Sequence, residues 1–333
     1  MIRAFSHGSF PKVGDSPLDQ QLRAVLRRRE RGKATAAEVA LVADEVTSLA
    51  VAEQARAFID VVSDGGMFAD GPHAQLVGPL AGLERRGIRR WFETCFYDRD
   101  VAVVGPIRRA RPFLVRGYEV AASVAPHRRV KVSLPGPVTF ARRARDEHYG
   151  SPEAVAEALA DALAEEVAAL RTAGARFFQL DEPLLCRMPE DAELVSRTAL
   201  VVFDAAGEGA TTVLSTFFGD LFGVADGSGL DALPGTHLGL DLTGGAAALA
   251  LLGRLPAERG VALGVFDATT TVQEDAADMT VLLEPYREVL MARDVMVGPN
   301  AGLELLPRDA AFDKLLHARY LVEKLAKDWA WES

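Results

Sequence analysis

Eight short apolar runs, each followed by a helical segment, constrain the fold of this 333-residue chain more than any other feature. The runs are nearly continuous in hydrophobic residues, which is typical of parallel strands buried on both faces. They lie at Ile2–His7, Phe58–Ser63, Arg129–Leu134, Arg176–Leu180, Thr211–Phe217, His237–Leu242, Val261–Phe266 and Val295–Gly298. Eight strands that alternate with helices predict an α/β fold, a single (β/α)8 TIM barrel over residues 1–333.

The helices are predicted from periodicity and from their end signals. The clearest begins after Ser151, a polar N-cap, has Pro152 at its first position and ends before Gly174. Apolar residues at intervals of three or four place one face of this helix against the core. Similar patterns occur at Ala34–Ala57, Glu190–Thr198, Val272–Met291 and Arg308–Lys327.

Residues 67–128, between the second and third predicted strands, depart from this alternation. They contain β-like pieces at Ala102–Gly105 and Phe113–Val115. A segment of this length is usually functional or carries its own structure, so we predict an insertion near the barrel mouth. Its arginines either steer a polyanionic substrate or form a solvated face paired with carboxylates, and the sequence leaves both readings open. They are Arg85, Arg86, Arg89, Arg90, Arg108, Arg109 and Arg111.

Composition argues against several classes of function. The formal net charge of −10 is unlike that of a nucleic-acid-binding protein. No apolar run approaches the roughly 20 residues that span a bilayer, and the N-terminus lacks the architecture of a signal peptide. Two cysteines, Cys95 and Cys186, cannot form a disulfide framework and are typical of a reducing compartment. We therefore expect a cytoplasmic enzyme without nucleic-acid or membrane partners.

Polar residues follow most of the predicted strands, where the reacting groups of a (β/α)8 barrel lie. We predict that they bind a small-molecule substrate, although such residues also cap the helices that follow strands. The candidates are Ser9, Asp64, Thr139, Asp181, Glu182, Thr216, Asp241, Asp267 and Asn300. Asp181 and Glu182 form the sharpest signal, because two adjacent carboxylates after an apolar strand need a partner or a ligand. We expect both to line the central pocket, with Ser9, Asp241 and Asp267 nearby.

The sequence carries no recognisable metal or phosphate motif. Its six histidines include no close pair, and neither cysteine has the spacing of a zinc ligand. The oxygen-bearing side chains that follow the predicted strands, which form the rim of the barrel, leave a magnesium site open as an alternative to zinc. No phosphate-binding loop and no nucleophile elbow occurs. We therefore predict no tightly bound cofactor.

Ordered motifs at the strand ends resemble the cobalamin-independent methionine synthase family, whose members join two related barrels in one chain. Gly8–Pro11, Gly136–Thr139 and Gln179–Pro183 are similar to blocks in both barrels. Four further blocks resemble the N-terminal barrel, which helps to hold the folate and its glutamate tail. These blocks are Arg90–Thr94, Leu214–Phe218, Leu240–Leu242 and Val297–Leu303. The resemblance implies 5-methyltetrahydrofolate, with its polyglutamate tail, as a substrate and homocysteine as the methyl acceptor.

Departures from the family pattern limit what this chain is expected to do. The family's catalytic barrel binds zinc through a histidine, a cysteine, a glutamate and a second cysteine. In that order, the matching positions here are Leu214, Thr216, Asp241 and Ala301. The glutamate near the homocysteine amine matches Gly66. Zinc activates homocysteine by holding it as a thiolate. The resemblance thus implies a chain without zinc at the family position that does not methylate homocysteine alone.

Three functions remain open from the sequence. The chain is a free-standing N-terminal-type barrel that works with a separate zinc-bearing subunit, a different small-molecule enzyme that uses the aspartate rim, or a catalytically silent ligand-binding subunit. Fold analogy alone does not choose between them.

Overall fold

The computed structural model describes residues 1–14, 16, 20–69, 71–226 and 229–331. Its strands are β1 (Ile2–Ala4), β2 (Val61–Ser63), β3 (Leu80–Arg90), β4 (Tyr97–Arg109), β5 (Arg129–Pro135), β6 (Arg145–Asp146), β7 (Phe177–Asp181), β8 (Thr211–Ser215), β9 (His237–Asp241), β10 (Gly260–Phe266) and β11 (Val295–Pro299). Its helices are α1 (Gln21–Glu30), α2 (Ala36–Arg56), α3 (Val115–Val124), α4 (Pro137–Arg143), α5 (Pro152–Thr172), α6 (Ala192–Asp204), α7 (Phe222–Asp226), α8 (Ala276–Leu283), α9 (Arg287–Met291) and α10 (Arg308–Asp328).

Eight parallel strands form one sheet in the order β1-β11-β10-β9-β8-β7-β5-β2. The two end strands approach each other through bridges that pair Phe5 with Val61 and Ser9 with Gly65. The Ser6 amide donates to the Val61 carbonyl at 2.9 Å across the same junction. The sheet is therefore a nearly closed barrel with flanking helices, which confirms the predicted (β/α)8 fold.

All eight predicted strands are present, with changed ends. The second strand is shorter than predicted because Phe58 adopts a left-handed φ of 56° and Ile59 donates its amide to the Gln54 carbonyl. Both residues thus belong to the end of α2 and its turn. The predicted helix at Val272–Met291 is divided into α8 and α9, because Pro285 supplies no amide hydrogen to continue it.

Helix α5 shows how the local sequence signals act. The Ser151 hydroxyl accepts the Ala154 amide at 3.2 Å, and Pro152 begins the helix. The apolar face is fully buried, as at Leu159 and Leu163. Both ends of this helix agree with the prediction. No helix in the described part of the chain is long and apolar enough to cross a membrane.

Residues 67–128 form an antiparallel hairpin of β3 and β4, followed by α3, and β6 adds a third strand to the hairpin. The predicted piece Ala102–Gly105 lies within β4. The predicted piece Phe113–Val115 is not a strand, because Glu166 of α5 accepts the amides of Phe113 and Leu114 at 2.8 and 2.7 Å and directs the chain into α3.

The barrel interior changes from apolar to polar towards the carboxyl ends of the strands. An apolar layer fills its middle, formed by Phe5, Val61, Phe177, Val213, Ala262 and Met296. His7 and Gln179 stand two residues beyond Phe5 and Phe177, and Lys131 of β5 pairs in register with Ser63, two residues beyond Val61. The side chains of His7, Gln179 and Lys131 are all buried. Alternate strand residues face the same side, so these polar side chains lie above the apolar layer. They form the floor of the barrel mouth.

Candidate active site at the barrel mouth

A cavity of about 1140 Å³ lies at the carboxyl ends of the barrel strands. Segments that follow β1, β2, β7, β8 and β11 line it, as does the end of β5. Residues of the 67–128 insertion complete the wall, among them His73, Trp91, Phe96 and Arg111. This is the volume and position expected for a small-molecule site in such a barrel.

One wall of the cavity is aromatic. Phe217 and Phe218 follow β8 with their ring centroids 5.0 Å apart, and Trp91 faces them from the hairpin turn. Phe92 joins the two sides, because its ring centroid lies 5.5 Å from Phe218 and 5.0 Å from Trp91. A flat, apolar ligand face can pack against such a wall.

The turn between β3 and β4 is fastened to the barrel by charged side chains. Arg187 forms a two-pronged ion pair with Glu93. The Arg143 guanidinium lies 4.9 Å from the Trp91 ring and 5.1 Å from the Phe92 ring. These contacts hold the hairpin against the mouth, so part of the insertion is structural.

Three of the nine predicted site residues line the cavity: Ser9, Asp64 and Asp181. Burial raises the pKa of Asp181 to about 7, and the neighbouring Glu304 carboxylate adds to the rise. Burial also raises the pKa of Asp64. The Ser9 hydroxyl donates to Glu304, another cavity residue. The cavity therefore holds carboxyl groups that have lost much of their contact with water.

The floor below Asp181 is a buried hydrogen-bonded group. Gln179 donates its amide to Asp181 Oδ1 at 2.7 Å and to the His7 carbonyl at 2.9 Å. Lys131 donates to the same carbonyl at 2.8 Å and to Gln179 Oε1. Burial lowers the pKa of Lys131 to about 7, and burial with the Lys131 charge places that of His7 well below its usual value.

Glu182 and Thr139, two further predicted site residues, do not line the cavity. The Glu182 carboxylate is fully buried and accepts the amides of Val138 and Thr139 at 2.8 and 2.7 Å. The Thr139 hydroxyl accepts the Leu184 amide at 3.3 Å. Burial raises the pKa of Glu182 to about 7. The two adjacent carboxylates thus differ: Asp181 faces the cavity, and Glu182 caps α4.

The other four predicted residues lie outside the cavity lining, and each is hydrogen-bonded within the protein. Asp241 accepts the Phe218 amide at 2.8 Å and the Asn300 side-chain amide at 2.9 Å, while Asn300 accepts the Ala268 amide at 2.9 Å. Thr216 donates to a carbonyl of β9. Asp267 accepts an amide and a hydroxyl two residues along its own turn. Their partners are internal to the protein.

The sequence did not predict that His7, Lys131, Gln179 and Glu304 belong to the cavity or its floor. It also did not predict that Arg111 lines the cavity. A signal existed for two of them, because Lys131 and Gln179 interrupt apolar strand runs at positions that alternate with buried aliphatic residues. Glu304 carried no such signal, since it lies in a short 3-10 turn after β11.

The four positions that match the family's zinc ligands do not form a donor set. Leu214 and Ala301 have no donor atom, and the Thr216 hydroxyl donates to the Gly239 carbonyl at 2.8 Å. Asp241 is occupied by protein donors. In the described ranges, no cluster of three or more His, Cys, Asp or Glu side chains could hold a metal ion. These residues do not fit zinc, and the rim gives no support to a magnesium site.

Comparisons with known proteins identify a family model and relatives that match this chain. Residues 8–209 match the sequence model "Cobalamin-independent synthase, Catalytic domain". The methionine synthase of Sulfurisphaera tokodaii is 28% identical over 310 residues, 92% of this chain and 88% of the relative. That of Thermococcus kodakarensis is 23% identical and covers 96% of this chain and 94% of its own.

Solved structures show the same fold. A B12-independent methionine synthase from Shewanella, in complex with selenomethionine, has a TM-score of 0.79 at 20% identity and covers 98% of both chains. A putative B12-independent methionine synthase from Listeria monocytogenes has a TM-score of 0.74 at 16% identity and covers 98% of this chain and 99% of that one. The likeness to the family's N-terminal barrel stays a prediction, since the matching sequence model describes the catalytic domain. Because that model spans more than half of the sequence, the chain belongs to the cobalamin-independent methionine synthase family.

Proposed function

We propose that this barrel binds a reduced folate in its mouth and contributes to methyl transfer from 5-methyltetrahydrofolate to homocysteine. In this proposal a separate zinc-bearing barrel activates the homocysteine thiol. The observation that carries it is the cavity itself, which combines an aromatic wall, half-buried carboxyl groups and cations in a chain of this family.

The cavity chemistry suits each part of a folate. The flat pterin ring can pack on Phe217 and Trp91, and its edge carries N–H groups that a carboxylate such as Asp64 can accept. The glutamate tail is anionic and needs a cation. Arg111 lines the cavity and forms no ion pair with any residue in the described ranges. It is therefore available to a ligand carboxylate.

Asp181 is the side chain best suited to move a proton in this cavity. Methyl transfer leaves a poor, anionic nitrogen leaving group unless that nitrogen is protonated. A general acid works best with a pKa near the working pH, and burial raises the pKa of Asp181 to about 7. We therefore assign to Asp181 the role of holding and donating this proton.

Thiol activation is assigned to another subunit because the matching residues here supply no zinc site. A free thiol has a pKa of about 8.5 and is mostly protonated at neutral pH. Without a metal or another base, homocysteine stays a weak nucleophile. In this division of the reaction, this chain would hold the methyl donor and the zinc-bearing barrel would hold the methyl acceptor.

Titration calorimetry and a reconstitution assay test the proposal. We expect the pure chain to bind 5-methyltetrahydrofolate, with at least about tenfold higher affinity for the triglutamate than for the monoglutamate. Methionine should form only when a zinc-bearing barrel of the family is added. Stoichiometric zinc in the dialysed pure chain, or methionine formed by this chain alone, would contradict the division of labour.

A second function is favoured by one observation, the pKa of Asp181 near 7 in the wall of the cavity. The same group could transfer a proton to or from a different small ligand without any partner. Turnover of a pterin or another carboxylated ligand by the pure chain would support this function. Binding without turnover, with and without the zinc-bearing barrel, would instead indicate a silent ligand-binding subunit.

A further inference from the structure

A lysine is buried beneath the cavity floor, where charged side chains are rare. Lys131 is 1% exposed, and its ammonium lies 4.7 Å from the centre of the Phe5 ring. Its hydrogen-bond acceptors in the described ranges are the His7 carbonyl and the Gln179 side-chain oxygen. Both are neutral, and burying an ammonium without a contacting carboxylate costs free energy. This cost calls for a reason to keep a lysine at this position.

The lysine fixes the direction of the neighbouring amide. An ammonium can only donate hydrogen bonds, so the Gln179 oxygen must face it and the Gln179 nitrogen must face away. That nitrogen has two hydrogens, which go to the His7 carbonyl at 2.9 Å and to Asp181 Oδ1 at 2.7 Å. A reversed amide would point donors at the ammonium and an acceptor at the carboxyl group. With Lys131 protonated, the arrangement therefore allows one orientation only.

We propose that Lys131 and Gln179 are positioning residues for Asp181, which hold one of its carboxyl oxygens and leave the other to face the bound ligand. Asp181 Oδ2 accepts no hydrogen bond from the described residues, and Asp181 lines the cavity. The inference deepens the proposed function, since it rests on the proton-transfer role assigned to Asp181. It adds to the site two side chains that do not line the cavity.

The charges around Asp181 determine the sign of the expected effects. Burial raises its pKa, while the Gln179 hydrogen bond and the Lys131 charge oppose that rise. Glu304 faces it from the turn after β11 and raises its pKa further. Removing either the amide donor or the ammonium should therefore move the titration of Asp181 to higher pH.

The test is a direct titration of Asp181, independent of activity. The chain is labelled with 13C at its aspartate carboxyl carbons, and the Asp181 signal is assigned by its loss in Asp181→Asn. In Lys131→Met, which keeps much of the side-chain length, the midpoint should move to higher pH by about one unit. In Gln179→Met, which keeps much of the side-chain length and adds no charge beside Asp181, the loss of the donor should produce a shift of the same sign.

Lys314→Met is the matched control. Lys314 is equally buried, but its ammonium contacts Glu274 at 2.8 Å and the Val272 carbonyl at 2.7 Å, which are not among the cavity residues. Its loss should lower the melting temperature without moving the Asp181 midpoint. If Lys131→Met does not fold, the uncharged Gln179→Met decides the question. An unchanged midpoint in a folded variant of either residue would overturn the proposal.

The same samples separate this inference from the proposed function. A shifted Asp181 titration in a chain that binds no folate would support the positioning role and contradict the folate proposal. Folate binding that weakens in Asp181→Asn, combined with an unmoved midpoint in Lys131→Met and Gln179→Met, would do the reverse.

Discussion

The two sides of the barrel mouth carry the same residue types in opposite roles. On the side of β1, β2 and β7, Ser9, Asp64 and Asp181 line the cavity. On the side of β8 to β11, Asp241 and Asn300 are tied into contacts within the protein. All five lie at or just after the end of a strand, so position alone does not distinguish a binding residue from a structural one.

The number of internal donors distinguishes them. Asp241 accepts four hydrogen bonds, from the amides of Phe218 and Thr243, the Thr243 hydroxyl and the Asn300 side chain. Asp181 accepts one hydrogen bond from the residues that the structure describes, and Gln179 donates it. A carboxylate with many protein donors stabilises the fold, whereas one with few is free to bind a ligand. Counting donors is therefore a better guide to function here than counting carboxylates.

The largest expected effects come from making the same change on both sides. Asp241→Asn should lower the free energy of unfolding by about 2–3 kcal/mol, because the new amide nitrogen replaces the oxygen that accepts from the Phe218 amide and the Asn300 side chain. Asp181→Asn should leave stability near the wild-type value or above it, and lower folate affinity by about tenfold or more. Urea denaturation and calorimetry measure the two quantities. If both variants lose stability equally, the distinction between the two sides is wrong.

A pH series sharpens the comparison. The pKa of Asp181 is about 7 in the folded protein, above its ordinary value of 3.8. Between these values the folded state keeps a proton that the unfolded chain releases, so the contribution of Asp181 to stability falls as pH rises. The stability of Asp181→Asn relative to wild type should grow by about 2 kcal/mol from about pH 5 to about pH 7. Thermal melts across this window measure it, and a constant difference would contradict the buried state of Asp181.

The same contrast applies to two cations at the cavity. Arg116 is paired with Asp44 through two hydrogen bonds of 2.8 and 2.6 Å, whereas Arg111 has no ion pair in the described part of the chain. We expect Arg111→Ala to weaken triglutamate binding by about three- to tenfold, with a smaller loss at high salt. Arg116→Ala should have a smaller effect. Calorimetry at two salt concentrations tests this, and equal losses would remove the basis for assigning the glutamate tail to Arg111.

The smallest effect concerns the two cysteines. Burial raises the pKa of Cys186, close to Thr216 on the structural side, to about 12, and Cys95 is exposed in the hairpin turn. Iodoacetamide should therefore modify Cys95 several-fold faster than Cys186. Peptide mass spectrometry over a time course provides the measurement. Rapid alkylation of Cys186 would show that the structural side is open to ligands.

The fold was largely predictable because strand and helix periodicities depend on local sequence. All eight strands and α5 follow from runs of apolar residues and from end signals such as Ser151. The sequence could not predict which rim residues line the cavity and which form contacts within the protein, because this depends on which side chains meet across strands. Asn300 approaches Asp241 from a strand 59 residues further along the chain, and no local pattern encodes that contact.

The floor of the barrel mouth was partly predictable from the sequence. Lys131 and Gln179 stand out as polar residues in apolar strands, but their joint effect on Asp181 requires three residues from two neighbouring strands in register. Phe113–Val115 shows the opposite failure. Its apolar character predicts a strand, and a single distant carboxylate, Glu166, converts it into the start of a helix.

The junction between β1 and β2 gives the barrel a weak line directly under the cavity. The backbone bonds across it include Ser6 to the Val61 carbonyl and Phe10 to the Gly65 carbonyl, whereas β10 and β11 pair over five positions. Local unfolding begins where such bonds are few, so amide hydrogens of β1 and β2 should exchange with solvent before those of β10. A ligand held between Ser9 and Asp64 would tie the two edges together. Slowed exchange at this junction would then report occupancy of the site, even without turnover.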